Sequence, residues 1–376
     1  MMNDLTKRSY AYINLDNIRH NYRQIRKYIK KNTKFLGVVK ADAYGHGAVK
    51  IARVLQEEGA DYLAVACIDE AIELRRHNIS LPILILGHTP AYYTNKLIKY
   101  DLTQCVANLH KASEYSKVAT KLNKTLKCHL KVDTGMSRLG FLCEGDYFNN
   151  GIKNMTEACK LPNLDFEGIF THFAVADEYD EDSKQYTMDQ FDLFMKVINE
   201  LKKHKITFKI RHCANSGATL SYKNMHLDMV RPGLLLYGYC DEENKLKLKP
   251  CMSLYSRVNT IKYFDSGIDI SYGRHYKTTA RTKVATIGLG YADGLLRSLS
   301  NKCSFYCKGK YIKQIGNICM DQCMLDVSGY EDIDIEDEVE IFGEHNSLVK
   351  LSQVGNTIPY ELLCAVSSRV KRIYIG

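Results

Sequence analysis

The feature that most constrains this chain is an alternation: between residues 35 and 231, eight short apolar runs recur, each followed by a polar or helix-periodic segment. The runs fall at 35–39, 62–66, 83–86, 103–106, 127–132, 168–172, 208–212 and 229–231. Helices are predicted between them at 46–58, 69–77, 90–99, 109–122, 142–159 and 184–203, with a short one over 216–220. Strands that read as continuous apolar runs are those buried on both faces of a parallel sheet. Eight β-then-α units predict an α/β fold with an N-terminal, TIM-like (β/α)8 barrel. A doubly wound open sheet of eight strands gives the same periodicity, and periodicity alone does not separate the two.

Ahead of this run, Tyr10 to Ile13 reads as a short strand, and apolar positions 15, 18, 22, 25, 28 and 29 predict a helix to about Lys30. Beyond Tyr239 the texture changes to alternating strands near 254–262, 283–289, 303–312, 324–327 and 338–342, with one clear helix over 360–368 behind Pro359. The domain boundary is therefore placed in the charged connection CDEENKLKLKP, giving a barrel over 1–246 and a mostly-β domain over 247–376. A chain of 376 residues can bury cores for both.

Charge and cysteine content narrow the partners. The net charge of +9 comes from dispersed lysines with no basic stripe, which argues against nucleic-acid binding. Thirteen cysteines, odd in number and often inside apolar runs, read as reduced thiols. The N-terminal MMNDLTKRSY has no apolar stretch suited to a leader, and no run of about 18 apolar residues suggests a membrane span, so the expectation is a cytoplasmic protein without membrane partners. Cys303, Cys307, Cys319 and Cys323 have three-residue spacings that could bind zinc, but small buried hydrophobes are the preferred reading, so no metal is expected. Gly288, Gly290 and Gly294 brush against a dinucleotide fingerprint, yet no helix pattern follows them.

In a barrel the C-terminal strand ends share one rim, where catalytic groups gather. Lys40 ends the first strand, Lys131 to Arg138 closes the fifth, His172 ends the sixth, His212 to Ser216 follows the seventh, and Arg231-Pro232-Gly233 ends the eighth. Asn215-Ser216 precedes a short helix with free first amides, and Gly233 permits close backbone approach. A lysine able to form an imine, a phosphate cradle and an arginine at the height of a pyridine ring together point to pyridoxal 5'-phosphate. Each part alone is bland: a strand-end lysine is usually solvated, and a serine before a helix is usually a cap.

The same residues carry a family resemblance. VVKADAYGHG at 38–47, KVDTGMSRLGF at 131–141, THFAVAD at 171–177, ANSGAT at 214–219, VRPGLLLYG at 230–238, SYG at 271–273, GYADG at 290–294, CMDQ at 319–322 and PYE at 359–361 resemble, in order, the bacterial alanine racemases of fold type III. The resemblance implies a cofactor-binding barrel, a C-terminal β domain and a head-to-tail homodimer whose active sites draw on both chains. It implies that Lys40 holds pyridoxal phosphate and acts as base on one face of the substrate α-carbon, with Tyr272 of the opposite copy serving the other face. Racemisation asks for this, because the proton must return from the side opposite the one it left. A tyrosine with a reference pKa of ~10 is a poor base, so its phenolate needs positive neighbours or hydrogen bonds, for which His172 and Arg231 match.

Arg231 also matches the family's partner of the pyridine nitrogen; a protonated guanidinium there leaves that nitrogen unprotonated and makes the cofactor a weaker electron sink. Tyr44, Ser216, the backbone of Gly233 and Leu234, and Tyr360 match the phosphate ligands. Arg138 matches the ligand of the substrate carboxylate, with Met320 of the other copy beside it, and Lys131 matches a lysine carbamylated in some members. Asp177, Tyr291, Arg297 and Asp321 resemble residues of the access path and inner pocket, with surface or interface hydrogen bonding as the alternative. One departure is Asn317, where many members carry arginine; the expectation is altered substrate access with catalysis unaffected. The implied activity is interconversion of L- and D-alanine for peptidoglycan. Alternatives are a serine or broad-specificity racemase, a non-catalytic pyridoxal phosphate carrier, and a barrel decarboxylase; Tyr272, Met320 and Tyr360 favour the alanine reading.

Overall fold

The alternating units close into a ring. A computed structural model describes residues 8–240 and 245–376. The N-terminal stretch 1–7 read for a leader, and residues 241–244 of the connection read as a domain boundary, lie outside the described residues. The first strand is β1 (Ser9–Asn14), followed by a helix over Leu15–Tyr28 whose Asn14 side chain caps the Asn17 amide. The ring comprises β2 (Lys34–Val38), β3 (Tyr62–Val65), β4 (Ile83–Ile85), β5 (Leu102–Val106), β6 (Leu126–Asp133), a short β7 (Phe141–Leu142) beside β6, β8 (Leu164–Phe170), β9 (Ile210–His212) and β10 (Met229–Val230).

Strand order runs β10-β2-β3-β4-β5-β6-β8-β9, every neighbouring pair parallel. β9 and β10 meet through Asp228 N–H to Arg211 O at 3.1 Å and Arg231 N–H to Ala214 O at 2.9 Å, which nearly close the barrel. This sequential order rules out the doubly wound alternative, whose strand order reverses at a switch point. Phe35, Leu36, Leu63, Ala64, Ile83, Leu84, Leu130 and Ile169 are fully buried, which is why these strands carry no alternation.

The predicted 142–159 helix begins later, at Phe148, because Phe141 and Leu142 pair with β6 and a 3-10 turn fills Gly145–Tyr147. Beyond the connection lie β11 (Met252–Phe264), β12 (Thr282–Ile287), β13 (Ser304–Cys307), β14 (Lys310–Ile315), β15 (Cys323–Asp326), β16 (Glu338–Phe342) and β17 (Lys371–Ile375). The single strand predicted over 303–312 is a hairpin, turned at Lys308 and Gly309 with φ of 45° and 81°, the signs a two-residue type I′ loop requires. Helices cover Leu348–Val354, which the sequence reading missed, and Pro359–Ala365.

The β-rich sheet runs β12-β15-β14-β13-β16-β11-β1-β17, and β11 also pairs β12, so six of its strands form a closed circuit. Here the reading of 1–246 as barrel needs correction at its start. β1 is antiparallel to β11, with Ser9 opposite Ser256, and parallel to β17, with Tyr10 opposite Lys371. The N-terminal strand thus belongs to the C-terminal sheet: both of its edges are satisfied there, and a barrel already ringed by eight strands has no edge to offer. Among the described residues no helix is long and apolar enough to cross a membrane, and no cluster of three or more metal-ligating side chains occurs. All thirteen cysteines are free thiols.

Candidate active site

Lys40 follows β2, and the backbone turns sharply behind it. Ala41, Asp42, Ala43 and Tyr44 all take φ between 51° and 53°, one turn of left-handed helix made from residues with side chains. Such a turn costs roughly 1–2 kcal/mol per residue, so neighbours must hold it. The Glu70 carboxylate accepts the Ala41 and Ala66 amides, each at 2.7 Å, and Asp42 Oδ1 accepts the Ala48 amide at 2.7 Å. From the β-rich module, Arg372 Nε donates to Gly45 O at 3.1 Å. A Cβ on Gly45 would stand 2.5 Å from Leu363 O, and one on Gly47 would collide with the Tyr374 hydroxyl, so both glycines serve close approach as well as positive φ. Burial and the facing Arg138 push the Lys40 pKa below its ordinary value.

Across the rim, Tyr44, Ser216 and Gly233 converge. Ser216 Oγ accepts the Gly233 amide at 2.9 Å, and a Cβ added to Gly233 would lie 2.6 Å from Tyr44 Oη and 3.8 Å from Ser216 Oγ. These groups enclose a niche that any side chain at 233 would fill. Leu234 opens the 3-10 turn that follows, and Asn215 caps the helix Ser216–Ser221 by accepting the Ala218 amide at 2.9 Å. The Tyr360 ring sits 5.7 Å from that of Tyr44. Burial first, then Asp177, pushes its hydroxyl up to about 12.

The remaining rim groups are cations. Arg231 is buried, and its partners are neutral: Nη1 donates to His212 Nδ1 at 3.0 Å, and Nη2 to His172 Nδ1 at 3.1 Å and to the carbonyls of Thr171 and Cys213. Burial lowers its pKa to about 10, so it stays protonated at neutral pH. Burial, with Arg231, Lys131, Arg138 and Lys40 facing it, holds His172 well below the ordinary imidazole range. Lys131 is buried with its ammonium 4.7 Å from the Phe170 ring centre, and burial, then Arg231, brings its pKa to about 7. Several cations with little compensating carboxylate make this mouth a place for an anion.

Sequence reading named this rim but not what stands behind it. Arg231 can only donate, so His212 Nδ1 accepts and its Nε2–H points to His129 Nδ1 at 2.9 Å. His129 then directs its own Nε2–H toward Glu167 Oε1, 3.6 Å away, and Tyr62 Oη donates to the same oxygen at 3.1 Å. A chain of two neutral imidazoles thus links a buried guanidinium to a carboxylate on β8. His129 lies inside the apolar run 127–132 and Glu167 just ahead of the run 168–172, and neither matches a motif; a histidine interrupting such a run is the signal that could have found the first.

Five candidates do not join this rim. Tyr272 is 73 % exposed, Met320 52 % and Tyr291 44 %, and Arg297 and Asp321 are exposed as well. Tyr272 lines a cavity walled by Lys262, Asp269, Val284 and Met324, all of the β-rich module. Asp321 is held by Arg369 at 2.6 Å, and Arg369 and Arg8 both reach the buried Asp293, so the loops bearing Tyr291, Met320 and Asp321 are tied together. These side chains face outward from a fixed frame.

Residues 13–241 match the family described as alanine racemase, N-terminal domain, and residues 251–374 match alanine racemase, C-terminal domain. An alanine racemase of Desulforamulus reducens is 45 % identical over 374 residues, covering 98 % of this chain and 99 % of the relative. The solved alanine racemase of Clostridium difficile 630 superposes with a TM-score of 0.91 at 39 % identity, covering 99 % of this chain and 97 % of that one. That of Bartonella henselae, solved with covalently bound pyridoxal phosphate, superposes with a TM-score of 0.88 at 31 % identity, covering 98 % and 99 %.

Proposed function

We propose, from the premise that this chain belongs to the alanine racemase family of isomerases, that it interconverts L- and D-alanine with pyridoxal phosphate held at Lys40, using Lys40 and a second copy's Tyr272 as the two bases. The observation that carries the reading is that the turn after β2 bears both Lys40 and Tyr44, and that Tyr44 lines, with Ser216 and Gly233, a niche that a single Cβ would fill. The Tyr44 and Ser216 hydroxyls and the backbone beside Gly233 would hold a phosphate there. Arg231 would face the pyridine nitrogen, with the His212–His129–Glu167 chain fixing its orientation. When bound, the cofactor supplies the electron sink that acidifies the substrate α-hydrogen.

The protein's own groups do the rest. The lowered pKa of Lys40 favours the neutral amine that a covalent link to the cofactor requires, and its Nζ then takes or returns the α-proton on one face. Tyr272 Oη would work from the opposite face. Its exposure beyond the β-rich module supports a shared site in a head-to-tail homodimer, with Met320 beside it and Tyr291, Asp321 and Arg297 along the access path. Arg138 would take the substrate carboxylate. Lys131, poised near pH 7 between arginines, suits carbamylation: its neutral amine adds carbon dioxide, loses a proton, and leaves an anion facing Arg231 and Arg138. Tyr360 and Asp177 would bound the substrate side, which favours alanine over serine, and the D-alanine produced would supply peptidoglycan.

The test is incubation of the purified holoenzyme with L-alanine, L-serine and L-lysine separately, reading the D-isomer formed. D-alanine should appear fastest. D-serine outpacing it would move the assignment to a serine or broad-specificity racemase, and no D-isomer from any of them would leave a cofactor carrier.

A further inference from the structure

Tyr272 stands on a backbone that should not persist unaided. Ser271, directly before it, has φ 69° and ψ −180°, a region populated essentially by glycine; Gly273 has φ 73° and Arg274 φ 56°. A non-glycine residue there costs on the order of 1–3 kcal/mol and survives only where its surroundings over-determine it. The surroundings here are the segment 316–319. Asn317 Nδ2 donates to the Tyr272 carbonyl at 2.7 Å, and Ser271 Oγ donates to the Asn317 carbonyl at 2.6 Å. Asn317 is buried, beneath the exposed turn 272–275. Gly316 completes the fit, since a Cβ on it would lie 2.8 Å from Ser271 Cβ. On the far side, Arg274 Nε donates to Asp269 at 2.6 Å.

We propose that Asn317 is a positioning residue for Tyr272: its side chain and its carbonyl together clasp the strained Ser271–Tyr272 turn and so set where the phenol points. The inference rests on the reading of Tyr272 as a base. It also revises the expectation that catalysis is indifferent to position 317. A base must stay within hydrogen-bond reach of the proton it moves, and a displacement of about 1 Å can cost on the order of 10²-fold in rate. Without the amide the Tyr272 carbonyl loses its donor and the turn can relax toward φ below zero. An aspartate at 317 keeps the shape but has no N–H to give.

The experiment compares Asn317→Ala, Asn317→Asp and Tyr272→Phe holoenzymes, measuring kcat and KM for both alanine enantiomers, α-deuterium isotope effects from each, cofactor absorbance and the melting temperature. Both Asn317 variants should lose at least about tenfold in kcat, with KM changed less than about threefold and cofactor absorbance intact. The isotope effect should rise for the enantiomer whose α-hydrogen Tyr272 removes and not for the other. A merely structural role would leave the two isotope effects unchanged or shifted alike, or shed cofactor and stability together, and would overturn the proposal. Wild-type kinetics in both Asn317 variants, with Tyr272→Phe inactive, would sink this inference and leave the two-base reading standing. A fully active Tyr272→Phe would end both.

Discussion

Lys131 and Arg231 show how one barrel interior treats two cations. Both are buried and both lose pKa to desolvation, but the guanidinium, falling only to about 10, stays charged, while the amine at about 7 is poised between forms. The sign of the stability effect follows. Between about 7 and its ordinary 10.5 the unfolded lysine binds a proton that the folded one does not, so this group adds stability as pH rises through that window and removes it as pH falls toward 7. In carbon dioxide-free buffer the wild-type melting temperature should therefore climb, relative to Lys131→Met, from pH 7 toward 10. At pH 7.5, added bicarbonate should raise the wild-type value alone, since a carbamate relieves the repulsion with Arg231 and Arg138. Identical responses in the two proteins would refute both the burial argument and the carbamylation. At this scale the sequence was legible wherever a residue sits in a motif, as Lys40, Ser216 and Arg231 do. Glu70, His129 and Glu167 were not, because their importance lies in what the fold brings beside them.

Among the elements, the Lys40 turn departs furthest from local preference. Periodicity predicted a strand, a turn and then a helix at 46–58, and the strand and helix occur as β2 and Ala48–Glu57. The left-handed path of Ala41 to Tyr44 was invisible, since nothing in ADAY demands positive φ; it is imposed by Glu70 and by the Pro359–Ala365 helix and Arg372 packed on Gly45. Glu70→Gln keeps one acceptor for two amides, and should cost about 1–3 kcal/mol in urea unfolding and weaken cofactor retention on dialysis. Unchanged stability would mean that the turn is held elsewhere. The Lys308-Gly309 hairpin was missed for a different reason: its flanking strands read as one alternating strand, and the turn between them has no Asn-Gly signal.

For the whole molecule, the eight barrel strands were legible because burial on both faces leaves a one-dimensional trace, and β1 was read with the barrel because pairing with strands at 252–256 and 371–375 leaves none. That pairing has consequences. β1 and β17 lock the β-rich module onto its own barrel, where Arg372 and Tyr374 steady the Lys40 loop, while the other side of the module turns Tyr272 and Met320 outward. On the proposed function one chain would carry the cofactor half of a site at one place and the opposing base at another, and the central claim is that two copies complete each other. The most direct measurement mixes Lys40→Ala with Tyr272→Phe, each inactive alone, after dissociation and reassociation. A mixed dimer holds one site with both bases intact and one with neither, so an equal mixture, half of it mixed dimers, should recover about a quarter of wild-type specific activity. Mixed dimers that form, bind cofactor and yet recover no activity would contradict the account.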